Sequence, residues 1–158
     1  MSPSLEFHMS LPREPIFTLV KGFLLIKTEL GTAGIKLQAL SGCVRYQYRG
    51  AWREKGKGCL PPSAIIAPTK YTVSTQRLWL PHVRGVEGSF YAIAPFMVTA
   101  APGIQRGDFG IHFDANMPGS AGCIVLPLQD HWDVFRHLMA DFRAKNIKQL
   151  PLTVNYTY

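Results

Sequence analysis

His112 and Cys123 are the two side chains whose types and spacing point most directly to chemistry. They lie in Gly110-Ile111-His112-Phe113-Asp114 and Ser120-Ala121-Gly122-Cys123-Ile124, with a turn rich in small residues between them. A thiol attacks only as thiolate, and a neighbouring imidazole is the usual means of forming one near neutral pH. The Ser-Ala-Gly approach to the sulfur leaves backbone N–H groups of Gly122 and Cys123 available to an oxyanion. Gly122 further permits a positive φ or a close approach that a Cβ would block. Together these residues describe a cysteine acyl-transfer centre, with Cys123 as nucleophile and His112 as the base that later returns the proton to the leaving amine. Ser120 is expected to hold the loop or orient His112.

Four further side chains are candidate substrate-binding groups. Asp114 follows His112 by two positions, so in a continuing strand both share a face. It is placed either to orient the imidazole or to bind a substrate ammonium. Arg106 and Arg84 are candidate clamps for a substrate carboxylate, because guanidinium matches carboxylate bidentately. His82 follows Pro81 near an aromatic strand and is a candidate for the cleft wall. His131 and His137 fall on a helical segment and read as surface or core-edge residues. Cys43 and Cys59 read as packing thiols. Three cysteines without a CxxC pair give neither a disulfide framework nor a zinc motif. No metal or organic cofactor is implied, and there is no G-x-S-x-G elbow of a serine hydrolase.

Ile111-His112 followed by Ser120-Ala121-Gly122-Cys123-Ile124 resembles the signature of the L,D-transpeptidase (YkuD-type) family. Gly56-Lys57-Gly58-Cys59-Leu60-Pro61-Pro62-Ser63 is similar to the Gly-Pro-Ile-Pro-x-Gly segment upstream in such proteins. This chain has Ala121 where the family usually has a histidine, and a shorter His-to-Cys interval. That form is similar to the compact branch found among phage-encoded enzymes and secreted antibacterial effectors. The resemblance implies a mostly β fold, of β-sandwich or partly open barrel type, with one amphipathic helix near the C-terminus. It also implies cysteine-dependent transfer or hydrolysis on peptidoglycan stem peptides, as an L,D-transpeptidase, carboxypeptidase or endopeptidase. The alternative is a cell-wall-binding or virion structural module that keeps the fold without turnover.

The 158 residues, 47% hydrophobic and 17% charged, fit one domain able to bury a core. Residues 1–15 carry Pro3, Pro12 and Pro15 and read as an N-terminal arm, followed by a single catalytic domain over 16–158. No apolar run is long enough for a membrane span. The first residues lack the basic and apolar regions of a secretory signal. Action in the periplasm or cell wall therefore implies release at phage lysis, delivery by a secretion apparatus, or a signal supplied elsewhere. The net charge of +7 comes from scattered Lys and Arg rather than a massed basic patch. No nucleic-acid partner is expected, and an anionic cell wall suits the charge equally well. Oligomeric state is left open.

The elements that must position these groups follow from periodicity. Phe23–Glu29 and Ile35–Leu40 around Gly31–Gly34 suggest a β-hairpin. Val44–Tyr48, Leu78–Val83, Phe90–Ala94, Met97–Thr99, Phe109–Phe113 and Gly122–Leu126 are predicted strands. Glu54–Gly58 is a turn, and Pro61, Pro62 and Pro68 favour an extended connection over helix. Trp132, Phe135, Leu138, Met139 and Phe142 follow helical spacing, with Asp130 as predicted N-cap. Leu152, Val154 and Tyr156 alternate as a final strand.

Overall fold

Alternation of apolar and polar residues, the period of a half-buried strand, accounts for most of the architecture. A computed structural model describes residues 3–28, 34–115 and 118–158. In chain order the strands are β1 Ser4–Ser10, β2 Gly22–Lys27, β3 Ile35–Cys43, β4 Tyr71–Ser74, β5 Leu78–Leu80 and β6 Gly88–Ala94. They continue as β7 Met97–Ala101, β8 Ile104–Gly107, β9 Gly110–Phe113, β10 Gly119–Leu126 and β11 Gln149–Thr157. Among the described residues, two α-helices, α1 Ser63–Ile66 and α2 Gln129–Ala144, and a 3-10 turn at Ala51–Arg53 accompany the strands. The protein is mostly β with one main helix near the C-terminus, as expected.

The large sheet runs β4-β11-β1-β2-β3-β10-β9-β6-β5, and β4 also pairs with β6. That second pairing, Thr72 with Ala94 and Val73 with Ile93, closes the sheet into a barrel-like ring. β5 takes the other end of the same β6 edge, opposite Gly88–Phe90. β7 and β8 form a separate two-stranded sheet. Closure removes free edges along most of the ring, and the enclosed face holds the core. Leu5, Phe7, Leu24, Ile26, Leu152 and Val154 are buried there. Each such side chain stabilises the fold by about 1.5–3 kcal/mol.

Residues 4–10 are not part of an arm. Leu5, Phe7 and Met9 alternate with Ser4, Glu6 and His8, and β1 lies between β11, which is parallel to it, and β2, which is antiparallel. Prolines flank the strand and never interrupt it, so its ladder is intact. The hairpin of β2 and β3 forms as expected; Gly31, Thr32 and Ala33 of its turn lie outside the described residues.

Val44–Tyr48 is a turn rather than a strand. Arg45 sits at φ 74, and Tyr46 N–H donates to the Cys43 carbonyl. The apparent alternation is inverted, because Val44 is exposed and Gln47 is buried. The Gln47 side-chain amide accounts for this: its Oε1 accepts from Val20 N–H and its Nε2 donates to the Val20 and Ser41 carbonyls. A buried amide with its hydrogen bonds filled is stable where an unpaired one is not.

Leu78–Val83 keeps only Leu78–Leu80 as strand, and one helical turn, α1, follows Pro62. The short strands β4 and β8 were not evident from periodicity. Helix α2 buries Trp132, Phe135, Met139 and Phe142, and Tyr91 meets Trp132 and Phe135 edge-on. Its N-cap is Leu128, without a side-chain cap, so Asp130 lies in the first turn and complements the helix dipole from there. No described helix is long and apolar enough to cross a membrane.

Candidate functional site

Parallel pairing of β9 with β10 sets the geometry of the site. Ile124 pairs with Ile111, and Val125 with His112. Residues paired across a ladder share a face, and strand neighbours two apart do as well. Cys123 therefore projects from the same face as Val125 and His112. The opposite face carries Tyr91, Ile111 and Ile124 and receives α2.

His112 is buried, 5% exposed, and its ring stacks on Phe90 at 5.9 Å between centroids. Gly110 makes room for that ring, since a Cβ at 110 would collide with the Phe90 side chain. His112 Nδ1 lies 2.8 Å from the Phe113 carbonyl oxygen. A carbonyl only accepts, so Nδ1 carries the proton and Nε2 keeps the free lone pair. Burial holds the imidazole pKa below its ordinary value, with the Phe113 carbonyl acting against it. The resting ring is neutral, as a general base requires.

Cys123 is half-buried. Its thiol faces the Asp108 carbonyl oxygen at 3.8 Å, and the Gly110 N–H is directed at the sulfur. Burial pushes the thiol up to about 11; Gly110 and Arg106 act against this, and the Asp108 charge adds to it. No hydrogen bond joins Cys123 to His112 among the described residues. The resting pair is thus thiol and neutral imidazole rather than a preformed thiolate–imidazolium pair.

The segment before the sulfur is held through its carbonyls. Ser120 O accepts from the Cys43 thiol at 3.2 Å, and Ala121 O from Arg106 Nη2 at 2.8 Å. Gly122 O accepts from Ser41 Oγ at 2.9 Å, and Cys123 O from Ser120 Oγ at 2.5 Å. Ser120 Oγ also accepts from Gly42 N–H and Gly122 N–H. Ser120 is therefore a brace for the loop, one of its two expected roles. Gly122 has φ 124, and a Cβ there would lie 2.5 Å from the Phe109 ring and 2.7 Å from Arg106 Nη2. Its role is shape: the Gly122 N–H already bonds Ser120 Oγ and is not aimed at an oxyanion.

Both His112 and Cys123 open into a cavity of about 890 Å³, walled by Phe90, Val83, Phe96 and the 118–121 segment. Arg84 stands on this wall, exposed, as the expected carboxylate clamp would require. His82 is exposed but does not line the cavity. Asp114 is also off the wall; its Oδ2 accepts from Gly119 N–H at 3.1 Å, and burial raises its pKa. It ties the ends of the 114–119 loop rather than orienting His112 or meeting substrate.

Arg106 is no substrate clamp. It is 5% exposed, and it donates to the Trp52, Cys59, Gly58 and Ala121 carbonyls at 2.7–3.1 Å. A buried guanidinium survives because each fork is filled, and the forks are then unavailable to a ligand.

Two wall residues escaped the sequence reading. Asp108 lies at φ 60 in the tight link between β8 and β9 and faces the cavity. The pattern Arg-Gly-Asp-Phe held the only signal, since Asp tolerates this conformation better than most residues. Cys43, expected as a packing thiol, ends β3 on the cavity wall; burial raises its thiol pKa. Cys59 is fully buried and belongs to the core, as expected. His131 sits at the core edge, its Nδ1 accepting from Gln38 N–H, and His137 is exposed.

No family model, curated protein or solved structure matches the chain.

Proposed function

We propose that the protein is a cysteine-dependent acyl-transfer enzyme acting on peptidoglycan stem peptides. The observation that carries this reading is the shared face and shared cavity of His112 and Cys123, produced by the β9–β10 register. The motif resemblance supports the substrate class. In the first step Cys123 Sγ attacks the amide carbonyl carbon and its proton passes to His112 Nε2. The C–N bond then breaks, the amine leaves with that proton, and a thioester remains on Cys123. An amine acceptor resolves it as transpeptidation or exchange, and water resolves it as hydrolysis. The Gly110 N–H beside the sulfur offsets negative charge as it develops there. Proton transfer needs sulfur and imidazole within hydrogen-bond reach, and burial pushes the resting thiol up to about 11. The site of action would be the cell wall, reached by phage lysis or a secretion system.

The test is incubation with purified muropeptides followed by mass analysis. Exchange, cross-linking, tripeptide release or cross-link cleavage supports the reading and identifies the branch. Unchanged muropeptides, with no acyl adduct on Cys123, refute it. One observation favours the alternative, a wall-binding or virion module without turnover: no hydrogen bond links His112 with Cys123. Labelling of Cys123 by a thiol reagent separates the two. Enzyme chemistry requires a rate that rises with His112 deprotonation, whereas a scaffold gives a slow rate governed by the thiol alone.

A further inference from the structure

A second concavity lies on the other face of β6 from the catalytic cavity. Tyr91 forms part of it, whereas the adjacent Phe90 and Ala92 face the cavity of Cys123. One wall is a stripe of α2 bearing Arg136, Ala140 and Arg143, residues at i, i+4 and i+7 that fall on one helical face. The other wall is Thr75, Gln76 and Arg77, in the link between β4 and β5. The volume is about 530 Å³, within the range of small-molecule sites at about 300–1,000 Å³.

Two of the three cations are tethered. Arg77 Nε donates to Ser89 Oγ at 2.5 Å, and its guanidinium lies over the Trp79 ring at 5.0 Å. The single Thr75 O–H donates to the Ile147 carbonyl at 2.6 Å, with the Lys148 carbonyl 3.0 Å from the same oxygen, fixing that wall. Arg136 Nη2 pairs with Asp133 at 2.8 Å, yet its Nε is buried without a hydrogen-bond partner. An unpaired buried donor leaves this guanidinium short of hydrogen-bond acceptors. Among the described residues no carboxylate lines the cleft. Asp133 neutralises one of the three guanidinium groups, so the charge of two is uncompensated.

We propose that this cleft binds a dianionic phosphate monoester. The charge matches a dianion, which a single carboxylate or a sulfate ester does not supply. Guanidinium forks suit the phosphoryl oxygens, and the volume left over takes a polar organic group along Thr75 and Gln76. The site is separate from the acyl-transfer reading and does not depend on it.

Calorimetric titration at pH 8 and low salt tests it, with glucose 6-phosphate, inorganic phosphate, glucose 6-sulfate and gluconate as probes. Glucose 6-phosphate should bind saturably at one site, at least about tenfold more tightly than the other three. Arg77→Gln and Arg136→Gln should each weaken it by about tenfold or more, while Cys123→Ala binds as the wild type does. Arg143→Gln, an exposed helix position, carries the test if Arg136→Gln fails to fold. Absence of saturable binding, equal affinity for gluconate or glucose 6-sulfate, or affinity unchanged in all folded arginine variants overturns the proposal. Inorganic phosphate binding as tightly as the sugar phosphate overturns the organic part of the site.

Discussion

Replacement of Arg106 separates a structural role from a substrate-binding one. Its guanidinium supplies four hydrogen bonds to main-chain carbonyls, those of Trp52, Gly58, Cys59 and Ala121. Arg106→Met keeps much of the volume and removes every donor. Each charge-assisted bond is worth about 1.5–3 kcal/mol, and each abandoned buried acceptor costs about 1–3 kcal/mol. The four act as one unit, so they do not add in full. With relaxation and water entry, a loss of about 4 kcal/mol is expected. For a chain of this size that lowers Tm by about 8–16 °C. Arg106→Lys retains a charge and three donors but not the planar fork, and should lose about 2 kcal/mol. Guanidinium chloride unfolding of both variants gives the measurement, read as a midpoint shift at constant m. The Ala121 carbonyl lies two residues before Cys123, so the lysine variant should also alter the labelling rate of that thiol. A lysine variant with wild-type stability and a raised KM would refute the structural role and restore the clamp. A methionine variant with an unchanged midpoint would refute it as well.

Other perturbations probe the site and the core. Cys123→Ala should abolish turnover of muropeptides with circular dichroism and unfolding midpoint nearly unchanged, whereas Cys43→Ala and Cys59→Ala should keep the chemistry and lose about 1–2 kcal/mol in denaturant titrations. His112 has a depressed pKa, so the wild-type thiol labelling rate should rise through an inflection below the ordinary histidine value of 6.5; His112→Gln should lose that inflection, and its persistence would remove His112 as the base, while His131→Ala and His137→Ala should leave the profile unchanged. Gly122→Ala should cost about 1–3 kcal/mol from positive φ alone, with more from the Phe109 and Arg106 contacts, and wild-type activity and stability would contradict the packing described at Gly122. Cys59 is raised from 9.0 to about 11, so its contribution is full below pH 9 and is lost as pH rises toward 11; stability should fall there by up to about 1.4 kcal/mol per pH unit per thiol, and more shallowly in Cys59→Ala.

Local pattern carried much of this fold. Apolar patterning located β2, β3, β6, β9, β10 and β11 to within a few residues; β9 and the end of β10 are buried on both faces, whereas β6 and β11 alternate because one face is buried more deeply than the other. Helical spacing located α2 for the same reason. Alternation failed at Val44–Tyr48, where a single buried amide outweighed the pattern. At Ser4–Ser10 the alternation of Leu5, Phe7 and Met9 is short and bounded by Pro3 and Pro12, so the composition of the segment is that of an arm while its pattern is that of a strand.

The chemical types at the candidate site, a thiol, an imidazole and glycines that admit close approach, are properties of the sequence itself. Which of them meet was decided by tertiary structure. The parallel register of β9 and β10 brings Cys123 and His112 to one face, and no local pattern encodes a register between strands joined by a loop. Burial and partner geometry also assign the charges. Arg106 and Arg84 read alike along the chain, but Arg106 on β8 is buried against four carbonyls while Arg84 stays exposed on the cavity wall. A guanidinium serves structure or substrate according to whether its donors are already filled, and the folded chain alone fixes which donors are.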